Sequence, residues 1–152
     1  MSTVLPENYG LVFGGLFSTV LANAYLVVNV IKARQKYGIK YPTLYADKSH
    51  IDGKTCKDEK DVEAYNSTQR AHQNTVENIA TIQLFGAVNG LLFPRFSGAC
   101  LLTYAVGRVI YGHGYAGGGP EGRKLGGLIS HLGDIPLFLC TLYSAATCAG
   151  YA

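Results

Sequence analysis

The chain has 152 residues, 48% of them hydrophobic and only 15% charged, with a formal net charge of +3 and a mean hydropathy of +0.13. A soluble domain of this size carries about 25% charged residues. The composition therefore argues against an ordinary soluble domain, and the small positive charge, spread among acidic residues, gives no argument for nucleic acid.

From Gly10 to Ile31 there is no Asp, Glu, Lys, Arg or His, and roughly 20 apolar residues are enough for a helix to cross a hydrocarbon core. The segment has no basic leader and runs without a small-residue cleavage site into Lys32, Ala33 and Arg34. It is expected to be a retained membrane anchor rather than a signal peptide.

Between Lys32 and Asn66 the character changes, with Lys40, Asp47, Lys48, Asp52, Lys54, Lys57, Asp58, Glu59, Lys60, Asp61 and Glu63 crowding one stretch. Their charges nearly cancel, and the segment is expected to be a single hydrophilic loop rather than a second domain.

Three further apolar segments follow, Asn78 to Pro94, Ser97 to Tyr115 and Leu125 to Tyr151. Pro94-Arg95-Phe96-Ser97 is expected to be a tight turn. Ala116 to Lys124, containing Gly117-Gly118-Gly119-Pro120, is expected to break the helix as a flexible connection; no Gly-Lys-Ser/Thr follows to make it a phosphate loop. The expected fold is all-α: one integral membrane domain spanning 1–152, a bundle of four transmembrane helices at about 7–34, 66–93, 97–116 and 124–149 with a polar loop at about 36–65.

Lys and Arg crowd the first and third connections, whereas the second offers only Arg95. Because cytosolic loops carry the excess of basic residues, both basic loops are expected to be cytosolic and both termini lumenal. Asn66-Ser67-Thr68 is a glycosylation sequon, which on that side should stay unmodified. Cys56, Cys100, Cys140 and Cys148 form no Cys-x-x-Cys pair, so neither a disulfide framework nor a metal site is expected.

Ionisable side chains at mid-membrane cost about 2.5 to 3.5 kcal/mol each and need a partner or a function. On the second long helix Arg70, Gln73, Asn74, Glu77, Asn78 and Thr81 recur at steps of three and four, sharing one face. On the third, Tyr104, Arg108, Tyr111 and Tyr115 do the same, setting a guanidinium among phenols. Arg34, Arg70, Arg108 and Arg123 outnumber the one carboxylate, Glu77, so an anionic ligand is expected, and Arg forks suit carboxylates. Glutathione fits that inventory, and so does a phosphate headgroup. His131 and Asp134, three apart on the last helix, are read as partners of each other or of a neighbouring helix, with a ligand or proton-path role as the alternative. Gly14, Ser18 and Ala22, and Gly86 and Gly90, have the four-residue spacing that lets membrane helices approach closely.

Three segments carry a resemblance: Asn29-Val30-Ile31-Lys32-Ala33-Arg34-Gln35-Lys36-Tyr37, Gln69-Arg70-Ala71-His72-Gln73-Asn74-Thr75, and Gly107-Arg108-Val109-Ile110-Tyr111-Gly112-His113-Gly114-Tyr115. Over essentially its whole length the chain resembles the membrane-associated proteins in eicosanoid and glutathione metabolism, most of all the type-3 microsomal glutathione S-transferases. That resemblance implies a homotrimer in an internal membrane such as the endoplasmic reticulum, or else the mitochondrial outer membrane, with glutathione as co-substrate and no metal. Glutathione would lie bent between subunits, its thiol turned toward lipid. It implies glutathione contacts from Arg70, Asn74, Glu77, Tyr111 and Tyr115, from Arg34 of an adjacent subunit, and from His72, where a leukotriene synthase of the family has a glutamine. The thiol-activating arginine matches Arg123, with Lys124 beside it as the alternative. Stabilising a thiolate whose free pKa is about 8.5 is what a permanently charged guanidinium can do. The implied chemistry is conjugation of lipophilic electrophiles, as in leukotriene biosynthesis, or glutathione-dependent reduction of lipid hydroperoxides. A non-catalytic, lipid-presenting relative and a small anion transporter subunit are the competing readings.

Overall fold

In a computed structural model, which describes residues 5–151, the chain is helical. Residues 1–4 and 152 of the expected domain lie outside the described part. The elements are α1 (Gly10–Tyr37), α2 (Lys48–Asp52), α3 (Glu59–Gly90), α4 (Pro94–Gly122) and α5 (Lys124–Cys148). α4 lies against α1, α3 and α5, α1 also packs on α3, and α3 touches α5.

The core forms where these four helices meet, from Val12, Ile82, Cys100, Leu101, Tyr104 and Leu137 with Tyr9. Leu101 is fully buried because glycines make room for it: a methyl at Gly15 or at Gly86 would strike its side chain. The buried stripe of α1 is Val12, Gly15, Thr19, Ala22 and Leu26. Of the small residues singled out on α1, Ala22 is therefore buried, but Gly14 is exposed with open space around it. The contact register is set one residue on, at Gly15, and the four-residue spacing alone does not fix it. Thr19 Oγ1 accepts from Gln83 Nε2 at 2.8 Å, tying α1 to α3.

α4 and α5 approach most closely of all. Methyl groups at Gly107, Gly126 or Gly133 would meet the backbone of Ser130, Tyr111 or Tyr104 respectively, so the two helices touch main chain to main chain, as small residues permit. At the other end, buried Asn89 joins α3 to α5. Its Nδ2 donates to Leu137 O at 2.9 Å and Thr141 Oγ1 at 3.0 Å, and its Oδ1 accepts from Ser144 Oγ at 3.0 Å.

α1 and α5 are long and apolar enough to cross a membrane, and only 28% and 22% of their most apolar windows are buried within the chain. Phe13, Phe17, Leu21, Leu128, Leu132 and Phe138 stand exposed on them, an apolar surface that a water-soluble monomer does not tolerate at this extent. α3 and α4 do not reach the same hydropathy: the polar stripe of α3, and Arg108 with its neighbouring tyrosines on α4, dilute it.

The hydrophilic segment is folded rather than an open loop. Ala33 and Tyr37 of α1, Ile39, Ala46, Cys56 and Tyr65 make a second small core. Gly38, in the left-handed region at φ 65°, ends α1. Asp47 and His50 cap α2 reciprocally: Asp47 Oδ1 accepts from Ser49 N at 3.0 Å and Asp47 N donates to His50 Nδ1 at 3.2 Å. Asp58 caps α3 by accepting from the amides of Lys60 and Asp61, so α3 starts at Glu59 rather than near 66. Asn66 is clasped to Ala46, Oδ1 accepting from its N at 2.8 Å and Nδ2 donating to its O at 2.9 Å.

The glycine-rich stretch also differs from a flexible loop. Helix continues through Gly117 and Gly118, breaks at Gly119 (φ 58°, ψ −150°) and resumes at Pro120. Positive φ is free for glycine, and proline suits the first turn of the resumed helix, where its missing N–H would have had no partner. The bend brings Gly122 back against Gly114. The expected turn at Pro94–Ser97 is instead the first turn of α4, with proline at its start.

Candidate functional site

α3, α4 and the start of α5 enclose a groove of about 610 Å³ lined by Asn74, Asn78, Arg108, Tyr111, Arg123, Lys124, Gly127, Leu128, Ser130, His131 and Asp134. Asn74 and Asn78 sit one turn apart on α3, and Arg108 and Tyr111 one turn apart on α4. The bend at Gly119 returns the chain so that Arg123 faces them.

Arg108 is buried, at 5% exposure. Its Nη1 donates to Asn74 Oδ1 at 2.7 Å, and its guanidinium lies 4.9 Å from the ring centre of Tyr104 and 5.3 Å from that of Tyr111. Among the described residues neither its buried Nε nor the buried hydroxyl of Tyr104 has a hydrogen-bond partner. Buried donors without partners are costly, and both atoms lie behind the groove surface, that of Tyr104 in the core rather than in the lining. Among the described residues no carboxylate pairs with the Arg108 cation: Glu77 pairs with Arg70 instead, Nη1 to Oε1 at 2.9 Å across a partly exposed face of α3.

Arg123 Nη1 donates to Tyr111 Oη at 3.5 Å, and its guanidinium sits 5.1 Å over the ring of Tyr115. Tyr111 and Tyr115 meet edge to face at 5.6 Å. Lys124, the alternative cation, is engaged by Glu121 three residues earlier. Of the two, Arg123 is the one packed on the tyrosines.

Not every expected site residue joins this groove. Arg70 and Tyr115 line an adjoining recess of about 620 Å³ beneath the folded segment, with Tyr45, Asp47, Lys48, Glu63 and Asn66. His72 is half-buried and lines neither space. Arg34 stays with its own segment: its Nη1 and Nη2 donate to Ile39 O at 3.4 Å and Thr43 O at 2.8 Å, and it lies 4.1 Å over Tyr41. Within one chain it does not meet Arg108 or Arg123.

The groove also holds residues that sequence reasoning gave no part in binding. Gly127 and Ser130 are small and sit on the α5 face that turns to α4, which the run Gly126-Gly127 and the spacing to Ser130 could have signalled. In the neighbouring recess, Tyr45 donates to Gln73 Oε1 and brings the folded segment down on α3; nothing in its local sequence marks it. Outside the apolar helices, Ser49 and His50 hold Asp47 below the usual carboxylate range, and burial pushes the Cys56 thiol up. Among the described residues no group of three or more His, Cys, Asp or Glu is placed to hold a metal ion.

Apolar helices around an arginine-bearing groove define an all-helical membrane protein with a polar site among its helices. The chain belongs to the MAPEG family, whose model matches residues 13–143. Members of that family are membrane proteins of glutathione and eicosanoid metabolism that include glutathione transferases, with glutathione as their co-substrate.

Proposed function

We propose that this chain is a membrane-bound glutathione transferase of the type-3 microsomal kind, conjugating lipophilic electrophiles, reducing lipid hydroperoxides, or both. The observation that carries the reading is the convergence of Asn74, Arg108, Tyr111 and Arg123 on one groove. That groove holds an arginine with an unpartnered buried Nε, and its one carboxylate, Asp134, is engaged by His131. A dicarboxylate with one amine and one thiol meets such a wall with its carboxylates on guanidinium forks.

In this reading Arg108 and Asn74 orient the tripeptide, Tyr111 and Tyr115 flank it, and Arg123 stabilises the thiolate. Lowering the thiol pKa by about two units requires roughly 2.7 kcal/mol of preference for the anion, within reach of one adjacent guanidinium. The thiolate then attacks an electrophile arriving sideways from the bilayer. Arg70 and Glu77, paired on an exposed face, would complete the cradle where a neighbouring subunit of a homotrimer closes it. Arg34 would reach a neighbour only by releasing the carbonyls of Ile39 and Thr43. The proposed setting is four membrane-crossing helices in the endoplasmic reticulum with the folded segment cytosolic.

The test is turnover by purified, detergent-solubilised protein given glutathione with chlorodinitrobenzene or cumene hydroperoxide, beside Arg123→Ala. Turnover that falls about 10²-fold in the variant, the usual scale for removing one charge-stabilising donor, supports the reading. No turnover by the unmutated protein overturns it in favour of a lipid-presenting or anion-conducting member. Unchanged turnover in the variant removes Arg123 from the mechanism.

A further inference from the structure

His131 and Asp134 lie on α5, where the polar groove meets an apolar one. Both residues line the groove of Arg108 and Arg123, and both also line a second space of about 310 Å³ whose remaining walls are Ile82, Phe85, Ile135 and Phe138. The two spaces thus adjoin at this pair, cationic on one side and hydrocarbon on the other. An amphiphilic molecule laid along α5 would pass from one to the other beside the imidazole.

The pair has a definite geometry. His131 Nδ1 is 3.1 Å from both carboxylate oxygens of Asp134, and Asp134 is the less exposed partner, at 16% against 60% for the imidazole. Asp134 follows Gly133, whose contact with the Tyr104 backbone fixes that part of α5 against α4. A carboxylate on Nδ1 orients the ring and leaves Nε2 to exchange a proton with whatever lies beyond. Packing does not require such a pair: two apolar residues at these positions would spare the cost of polar groups at membrane depth.

We propose that His131, positioned by Asp134, donates a proton to the oxygen released from the electrophile; the proposal rests on the transferase reading above. With an epoxide, the glutathione thiolate forms the C–S bond, the C–O bond breaks, and the alkoxide takes the Nε2 proton to become a hydroxyl. With a hydroperoxide, the thiolate attacks the terminal oxygen, the O–O bond breaks, and the departing alkoxide takes the proton. The sulfenic acid so formed is reduced by a second glutathione to the disulfide and water. The imidazole is reprotonated from water in both cases. With a chloroarene the leaving group is chloride, which needs no proton, so substrates divide by leaving group.

The experiment compares cumene hydroperoxide, styrene oxide and chlorodinitrobenzene with glutathione, in unmutated protein and in His131→Gln and Asp134→Asn. General acid catalysis contributes about 10²- to 10⁴-fold. The expected result is that kcat for the two oxygen-releasing substrates, divided by kcat for the chloroarene, falls at least about 10²-fold in His131→Gln and in the same direction in Asp134→Asn. A ratio that stays constant in both variants overturns the proposal, since a structural pair would lower all three rates together. In the unmutated protein, which needs no variant to fold, the solvent deuterium isotope effect on kcat should be larger for the hydroperoxide than for the chloroarene. Equal effects overturn the proposal while leaving the transferase reading intact, whereas no turnover of any substrate overturns both.

Discussion

At the scale of single residues, the two arginines of the groove are not equivalent. Arg108 is buried, bonded to Asn74 and stacked between Tyr104 and Tyr111, whereas Arg123 is exposed and held by aromatic contacts. Arg108→Ala is therefore expected to raise KM for glutathione and also to lower the thermal midpoint, while Arg123→Ala should act on turnover and leave the midpoint unchanged. The pH profile of kcat is the sharper check: the limb for the bound thiol should lie below about 8.5 in the unmutated protein and move up toward that value in Arg123→Ala. Cys56 provides a prediction away from the site. Burial raises its thiol pKa, so the protonated form is favoured by folding and the contribution to stability is complete below the unfolded thiol's pKa. That contribution is lost as pH rises toward the folded value. Maleimide labelling at mildly alkaline pH should be slow at Cys56 and become fast when the segment unfolds; fast labelling of the folded protein would contradict its burial.

At the scale of helices, Gly126 carries the firmest expectation, because a methyl there overlaps the backbone of Tyr111 and neither helix has a side chain that can move aside. Gly126→Ala should cost about 3 kcal/mol, the upper range for overpacking, read as a lowered midpoint in detergent. Gly14→Ala, with open space around it, should have no such effect. The contrast shows what the sequence makes legible. Absence of charge from Gly10 to Ile31 marks α1, and the steps of three and four in Arg70–Thr81 and Tyr104–Tyr115 mark polar faces, because each is a local property of one helix. Whether Gly14 or Gly15 meets a neighbour depends on rotation of α1 against α4, which no single helix encodes. The charged segment hid its own fold for a different reason: its few apolar residues, Ile39, Ala46, Cys56 and Tyr65, follow no period because the first three come from the connections on either side of α2 and the last from α3. Of the candidate site, Asn74, Arg108, Tyr111 and Arg123 meet in one groove, whereas Arg70 and Tyr115, a turn along from Asn74 and Tyr111, line the neighbouring recess, and Arg123 is returned to the groove by the bend at Gly119. Its dihedral angles are not readable from a run of glycines.

At the scale of the whole molecule, the single chain leaves two kinds of surface exposed that do not belong together in water. α1 and α5 show a broad apolar exterior, and α3 shows the exposed Arg70–Glu77 pair on a face with Asn78. Lipid suits the first and a polar neighbour suits the second. The proposed homotrimer would place the α3 face inward, so native mass measurement in detergent should give three chains per particle. Arg70→Ala should weaken that assembly and raise KM for glutathione together; a monomer that binds glutathione tightly would contradict both the trimer and the shared site. In the folded protein the sequon is closed to modification, since the Asn66 amide is clasped to Ala46 within a helix and Ser67 and Thr68 are buried. Orientation is better read from the accessibility of engineered cysteines near Gly53 and Arg95.

The same clasp divides the charged segment into a fastened half and a free tip. Ile39 and Thr43 are held by Arg34 of α1, and Leu44 and Ala46 by Tyr65 and Asn66 of α3, while Gly53 and Lys54 project from the far end of α2, both exposed, with Lys54 at positive φ. Such exposed tips accept inserted sequence. An epitope tag or a small fluorescent domain spliced between Gly53 and Lys54 should therefore leave turnover intact, whereas the same splice beside Ala46 should release the Ala46–Asn66 fastening and with it the roof over Arg70. That makes the tip a practical handle for immobilising, imaging or following the protein while it works.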